Sequence, residues 1–310
     1  MAALDTQRVT PDEIYQDNGC MQIGEGKANR RCNAGEVPHG PVNLPMALQV
    51  SSNVFFYDMA VRLDSQPGDP LQKWARRLGY GRRTGVDLPG EIKGLVPDPA
   101  WRDRINAAEL ACRAKKKVKS CGLGDGEGRP WKTGDEAALA TGQGDLQASP
   151  IQVAVSYAAI ANGGTIVRPH LGLEILNDQQ ELVQAISSGR SKKIAIDEVY
   201  RQSILNGLQT ATSQPDGTTF DVFNGWPHDR IPIFGKTGTA VRTTRPDDQS
   251  WFACYAYEGP DKSKPIVIVT TVEDAGSGAS AAAPAAKVML GEWFNVAGAD
   301  EIVRGASNDR

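Results

Sequence analysis

The residues best suited to chemistry in this chain fall into three short runs, at 51–53, 142–145 and 236–239. Lys236-Thr237-Gly238-Thr239 is the strongest of them. It lies within an apolar, β-branched stretch that reads as a strand, where lysine is an unusual occupant. The neighbouring glycine lets a ligand approach the strand backbone closely. A lysine flanked by two threonine hydroxyls is a sensible receptor for a carboxylate. Taken alone, the run also fits a plain surface strand carrying one charge. Ser51-x-Asn53 supplies a hydroxyl and an amide where two helices should meet, although such pairs commonly serve only as caps. Gly142-Gln143-Gly144-Asp145 offers a tight turn. The three histidines, His39, His170 and His228, are scattered, and no Cys-x-x-Cys pair occurs. Neither a metal nor an organic cofactor is indicated.

The elements that must position these residues can be read from pattern. Residues 5–43 are polar and turn-rich, and 44–63 form the first strongly apolar block. That block reads as two helices broken at Ser51-Ser52-Asn53, because Ser and Asn favour helix boundaries. Asp69-Pro70 should open a further helix as N-cap and first residue, with Gly79 at its end. Residues 85–99 read as loop with short extended pieces. A helix follows from Ser149-Pro150 to Asn162-Gly163-Gly164, and another spans about 198–212 with Tyr200, Ile204, Leu208 and Ala211 at helical spacing. Then 231–241, 250–257 and 265–272 read as three successive strands in an antiparallel meander. An Ala-rich helix over about 281–294 should cover one sheet face. No internal repeat is visible.

The chain has 310 residues, 40% of them hydrophobic, with a formal net charge of -3, enough for one large domain or two modest ones. The mild acidity argues against nucleic acid or an anionic membrane as partner. The one strong basic run, 113–119, reads as a solvated loop. No apolar stretch approaches the roughly 18 residues of a membrane span. Residues 1–15 lack the basic start and apolar core of a signal peptide, and Met1-Ala2-Ala3-Leu4 reads like the last turn of a helix already under way. Cys20 with Cys32, and Cys112 with Cys121, lie close enough for two short-loop disulfides; free thiols fit as well. Disulfides would imply an oxidising compartment. Cys254 reads as a buried thiol in an apolar strand.

Together and in this order, the elements resemble class B penicillin-binding proteins, especially the elongation-type peptidoglycan D,D-transpeptidases of actinobacteria. The wider family's signature is S-x-x-K, then S-D-N or a relative, then K-T-G. ALQVSSNVFFYDMA resembles the second motif and IFGKTGTA the third. TGVDLPGE, TGQGDLQASPIQVAVSYAAIANGG, DQSWFACYAY and AAAPAAKVML resemble further family stretches, and the resemblance runs over roughly 10–294.

The resemblance implies an α/β (α+β) fold like the serine β-lactamases and transpeptidases, an antiparallel sheet flanked by helices. It implies a single transpeptidase domain over 1–310, helical over about 40–215, with strands and last helix over about 230–295. In the family a serine attacks the penultimate D-alanine carbonyl of a stem peptide, with a nearby lysine as base, and β-lactams acylate the same serine. Ser51 would relay a proton, Asn53 would orient the substrate amide, and Lys236, Thr237 and Thr239 would hold the terminal carboxylate. The Thr239 N–H would form half of the oxyanion hole beside Gly238. No serine here has lysine three residues later, so the S-x-x-K helix start and the first two of five sheet strands are expected upstream of residue 1. The final strand should then expose an edge. A membrane anchor is also expected upstream, placing the domain on the extracytoplasmic face of the membrane. The expected partners are the stem peptide, β-lactams held weakly and without a covalent bond, and other cell-wall synthesis proteins. The chain alone is expected to be inactive, since losing a serine nucleophile costs on the order of a millionfold in kcat. A non-catalytic binding or scaffold fragment of a cell-wall complex is the alternative, and a β-lactam or D-Ala-peptide hydrolase a third reading.

Overall fold

The computed structural model describes residues 1–26, 29–123, 128–187, 189–241, 245–301, 303 and 305. Helix α1 (Ala2–Asp5) is buried along Ala2, Ala3 and Leu4. A small arm follows, made of β1 (Tyr15–Asp17), β2 (Cys20–Gln22), β3 (Arg30–Cys32) and β4 (Gly40–Val42). β1 pairs antiparallel with β4, and β2 with β3, Cys20 opposite Cys32 and joined to it by a disulfide.

Asn43 and Ser52 divide the apolar block as its sequence suggests. The Asn43 side chain caps α2 (Leu44–Gln49) by accepting from the Met46 N–H at 3.1 Å. Ser52 Oγ caps α3 (Asn53–Asp64) by accepting from the Phe55 N–H at 3.1 Å. Helix α4 (Pro70–Arg77) starts at Pro70 as expected, but Asp69 sits at φ 48° and its side chain makes no cap bond. Helix α5 (Pro99–Lys116), capped by Asp98, takes in 113–116 and so corrects the loop reading for that part of the basic run, while 117–119 lie beyond the helix. Its last turn carries Arg113, Lys115 and Lys116, exposed or half-buried, where cations complement the C-terminal end of the helix dipole. A second disulfide, Cys112–Cys121, ties that end to the following loop.

Helices α6 (Thr133–Ala140) and α7 (Pro150–Ala161) follow, α7 opened by a reciprocal Ser149–Gln152 capping box. Two short pairs of strands follow: β5 (Thr165–Ile166), whose Ile166 is buried in the core, pairs with β8 (Lys192–Lys193), and β6 (Glu174–Leu176) pairs with β7 (Leu182–Ala185) as an exposed hairpin. Helix α8 (Glu198–Ser213) and the short α9 (Phe220–Phe223) lead to β9 (Ile233–Ala240), β10 (Gln249–Glu258) and β11 (Ser263–Val272). These three strands form an antiparallel meander in the order β11-β10-β9.

The sheet has a core on each face, as its alternating residues require. On one face Ile233, Phe252, Cys254 and Ala256 meet Val222, Phe223 and α10 (Ala283–Phe294). On the other, Phe234 stacks with Tyr255 and Tyr257 and joins the core built by α1, α2, α3, α7 and α8. Among the described residues β11 pairs only with β10, which leaves its outer edge without a partner strand there, as the sequence led us to expect. Ile266–Val269 line a groove there of about 580 Å³ together with Met289, Glu292 and Trp293 of α10. Among the described residues no helix is long and apolar enough to cross a membrane.

Candidate functional site

Ser51 ends α2 in a way that a helix normally reserves for glycine. The Ser52 N–H reaches back to the Ala47 carbonyl at 2.9 Å and the Ser51 N–H to that of Leu48 at 3.4 Å. This is a Schellman closure with Ser51 in the left-handed position, at φ 58°. A non-glycine residue held there costs roughly 1 kcal/mol. The strained position presents a hydroxyl, which glycine could not supply, to the sheet.

The group it meets belongs to the lysine 185 residues away. Lys236 Nζ lies on β9 and donates to Ser51 Oγ at 2.7 Å and to the Thr237 carbonyl at 3.0 Å. Two glycines permit this approach by letting α8 sit tight between α2 and β9. A Cβ on Gly207 would stand 2.7 Å from the Pro45 carbonyl and the Leu48 side chain. One on Gly235 would stand 3.0 Å from the Thr212 side chain of α8 and 2.5 Å from the Phe252 ring of β10. Thr212 of α8 closes the contact by donating to the Ile233 carbonyl at 2.8 Å.

Beneath Ser51 runs a buried polar network. Asp17, fully buried, accepts from both the Gly19 N–H and the Ser52 hydroxyl, and from Asn33 Nδ2 at 2.8 and 2.9 Å. Asn33 Oδ1 in turn accepts from the Val54 N–H at 3.0 Å. The arm that carries the Cys20–Cys32 disulfide therefore fixes the first turn of α3. Neutral donors on every side offset the cost of burying the carboxylate.

Of the residues singled out from sequence, the structure brings Ser51, Lys236 and Thr237 together. Thr237 is buried, and its hydroxyl donates to Thr218 Oγ1 at 3.1 Å. Asn53 stands at the first residue of α3, one residue from Ser52; its side chain makes no hydrogen bond among the described residues. Gly238 faces Trp251, whose Cβ would lie 3.4 Å from an added Cβ. Thr239 Oγ1 is buried and has no partner among the described residues. Sequence reasoning missed Thr218, whose N–H donates to the Gln49 carbonyl at 3.3 Å and so bridges α2 to β9. Nothing in its local sequence marks it.

The turn at 142–145 also reaches this edge of the sheet. Gln143 Nε2 donates to the Thr239 carbonyl at 2.7 Å, and the Val241 N–H donates to Gln143 Oε1 at 3.3 Å.

No thiol competes for a role as nucleophile among the described residues. Two cysteine pairs are disulfides, and burial pushes the Cys254 thiol up to about 12. Cys20, Cys32 and Glu36 are the one His/Cys/Asp/Glu group close enough for a metal among the described residues, and its two sulfurs are joined to each other.

Helices packed on both faces of an antiparallel sheet, with a Ser-x-Asn helix junction bonded to a Lys-Thr-Gly strand, define the transpeptidase type of fold. The chain belongs to the penicillin-binding protein transpeptidase domain family, whose model it matches over residues 1–290. It is similar to the peptidoglycan D,D-transpeptidase MrdA of Salmonella typhimurium, 27% identical over 271 residues, 83% of this chain and 39% of the relative. Among solved structures it is similar to Pseudomonas aeruginosa PBP2 in complex with WCK 5153, with a TM-score of 0.73 and 28% identity over 94% of this chain and 56% of that one. It is also similar to a chain of a peptidoglycan synthase complex, with a TM-score of 0.75 and 27% identity over 97% of this chain and 45% of that one. The chain thus spans about two fifths of the curated relative, and about half of these solved chains.

Proposed function

We propose that this chain forms the ligand-recognising part of a peptidoglycan D,D-transpeptidase acting on D-Ala-D-Ala stem peptides in cell-wall synthesis. The observation that carries the reading is the 2.7 Å bond from Lys236 Nζ to Ser51 Oγ, which joins two motifs distant in sequence at a strained backbone position. Backbone strain of this kind persists where function needs it. Lys236, Thr237 and Thr239 receive the terminal carboxylate, and Ser51 relays a proton. Asn53 orients the substrate amide, while the Thr239 N–H, beside Gly238, stabilises the developing oxyanion. Two disulfides support a location outside the cytoplasm, on the extracytoplasmic side of a membrane. The similarity to a chain of a synthase complex supports other cell-wall synthesis proteins as partners.

These 310 residues contain no S-x-x-K serine, so they bind ligand without being acylated. Two or three charge-assisted hydrogen bonds, less the cost of association, give about millimolar affinity for stem peptide or β-lactam. The test is a titration of the chain with an N-acetylated Lys-D-Ala-D-Ala tripeptide, followed by NMR. Lys236→Ala should abolish the interaction; an unchanged affinity would sink the assignment. Ser51→Gly separates function from stability, since it should weaken binding while raising the Tm by relieving the left-handed serine. Intact-protein mass spectrometry with a fluorescent penicillin should show no adduct. A stoichiometric adduct would mean that a serine in this chain is itself the nucleophile.

A further inference from the structure

β9 pairs with β10 on one side only, and its other edge is occupied at three points. Residues two apart along a strand aim their main-chain groups to the same side. Thr212 Oγ1 donates to the carbonyl of Ile233, Lys236 Nζ to that of Thr237 and Gln143 Nε2 to that of Thr239. The Val241 N–H, next on that edge, donates to Gln143 Oε1.

The third occupant differs in kind from the others. A glutamine amide has the N–H and the C=O of a peptide group. Placed between Thr239 and Val241, it makes the pair of hydrogen bonds that a strand added to this edge would make. Its backbone is tied down, because the Gln143 N–H donates to the Ala138 carbonyl at 2.8 Å and the Gly142 N–H to that of Leu139 at 3.0 Å. Its neighbours Gly142 and Gly144 sit at φ 75° and 73°, and nothing lies within 4 Å of the position of a Cβ on Gly142. Gln143 itself is half-buried, so its side chain is the part that has to move for the edge to clear. The Thr239 hydroxyl, buried and without a partner among the described residues, belongs to the same stretch.

We propose that Gln143 is a strand-mimicking gate, whose side-chain amide holds the β9 edge until an extended peptide backbone displaces it and pairs with Thr239 and Val241. This rests on the site reading given above, with Lys236 and Ser51 at the carboxylate end and the Thr239–Val241 edge serving the peptide backbone.

The test uses the full chain and the same acetylated tripeptide, titrated by NMR against wild type, Gln143→Ala, Gln143→Glu and Lys236→Ala. Removing the competing amide should tighten binding about three- to tenfold in Gln143→Ala, the worth of a hydrogen-bond pair that the ligand no longer displaces. Gln143→Glu keeps the size and the acceptor for Val241 but faces the Thr239 carbonyl with an oxygen. It should shift affinity in the same direction, and it carries the test if Gln143→Ala fails to fold. In wild type, saturation with peptide should move the Gln143 side-chain NH2 resonances toward their solvent-exposed values. Equal or weaker binding in both variants, with resonances that do not move, overturns the gate while loss of binding in Lys236→Ala keeps the site. If Lys236→Ala binds as wild type does, or no variant binds, the site reading falls and the gate with it.

Discussion

Two loops of this protein are built alike and do different work. Each is closed by a disulfide, and each gathers around one buried carboxylate. In the first, Cys20–Cys32 braces Asp17 and Asn33. In the second, Cys112–Cys121 braces Glu109, which accepts from the Cys121 and Leu123 N–H groups, from Ser120 and from Arg113. The difference lies in where the network ends. Asp17 reaches the Ser52 hydroxyl and, through Asn33, the Val54 N–H, one residue to either side of Asn53 and next to Ser51. Among the described residues, Glu109 reaches only its own helix end and loop. The same local chemistry therefore leads to the candidate site in one case and, among the described residues, stays within its own loop in the other.

The largest expected effect comes from Asp17→Ala, which takes the acceptor from the Gly19 N–H and the Ser52 hydroxyl in a buried place and leaves Asn33 Nδ2 only its bond to the Val37 carbonyl. A loss of about 2–4 kcal/mol should follow. Urea unfolding measures it, and peptide titration of the folded fraction should show weakened binding, since Ser51 is no longer held. Full affinity in a destabilised Asp17→Ala chain would break the proposed coupling.

The disulfides sharpen the contrast because stability alone cannot separate them. Sequence separations of 12 and 9 residues give nearly equal chain-entropy terms, about 3 kcal/mol each. Cys20→Ser/Cys32→Ser and Cys112→Ser/Cys121→Ser should therefore lower the unfolding midpoint by similar amounts. Only the first pair should weaken peptide binding. Equal losses of affinity in both would mean that general loosening, rather than a wired path, carries the effect.

Much of this arrangement was legible in the sequence, and the parts that were not share a cause. The three strands showed in their β-branched runs, and the α2–α3 junction in its Ser-Ser-Asn break. Helix α5 was missed because only Arg102 and Glu109 are buried along it, leaving no apolar stripe to read. The pairings of Asp17 with Ser52, Thr218 with Thr237 and Gln143 with Thr239 are single polar contacts between distant segments. Such contacts leave no periodicity, and each residue type is ordinary in a turn. Ser51 and Lys236 were assigned to one site only because two motifs resembled a family, and their direct contact was not read from the sequence.

The smallest effects are acid–base ones, and they distinguish Glu109 from a third buried carboxylate. Main-chain N–H groups of Cys121 and Leu123, then Arg113, pull the Glu109 carboxyl down to about 2 from its ordinary 4.5. A depressed acid stabilises the folded loop above its unfolded value, and that contribution fades as the pH falls from about 4.5 through about 2. Glu136 on α6 has the opposite sign. Burial pushes it up to about 7, with Gln72 Nε2 donating to it at 2.6 Å and Gln72 Oε1 left without a partner among the described residues. The folded state there keeps a proton that the unfolded chain releases, so stability falls as the pH rises from about 4.5 to about 7. Glu136→Gln should remove that loss and let the new amide donate to Gln72 Oε1. Its Tm should exceed that of wild type by about 2–4 °C near pH 8, and the difference should shrink in mild acid. Glu109→Gln should lower the Tm near neutrality and lose its difference from wild type in strong acid, with peptide binding untouched. A Glu109→Gln chain that binds peptide poorly at neutral pH would show the second loop to be coupled to the site after all, and the two loops to be equivalent.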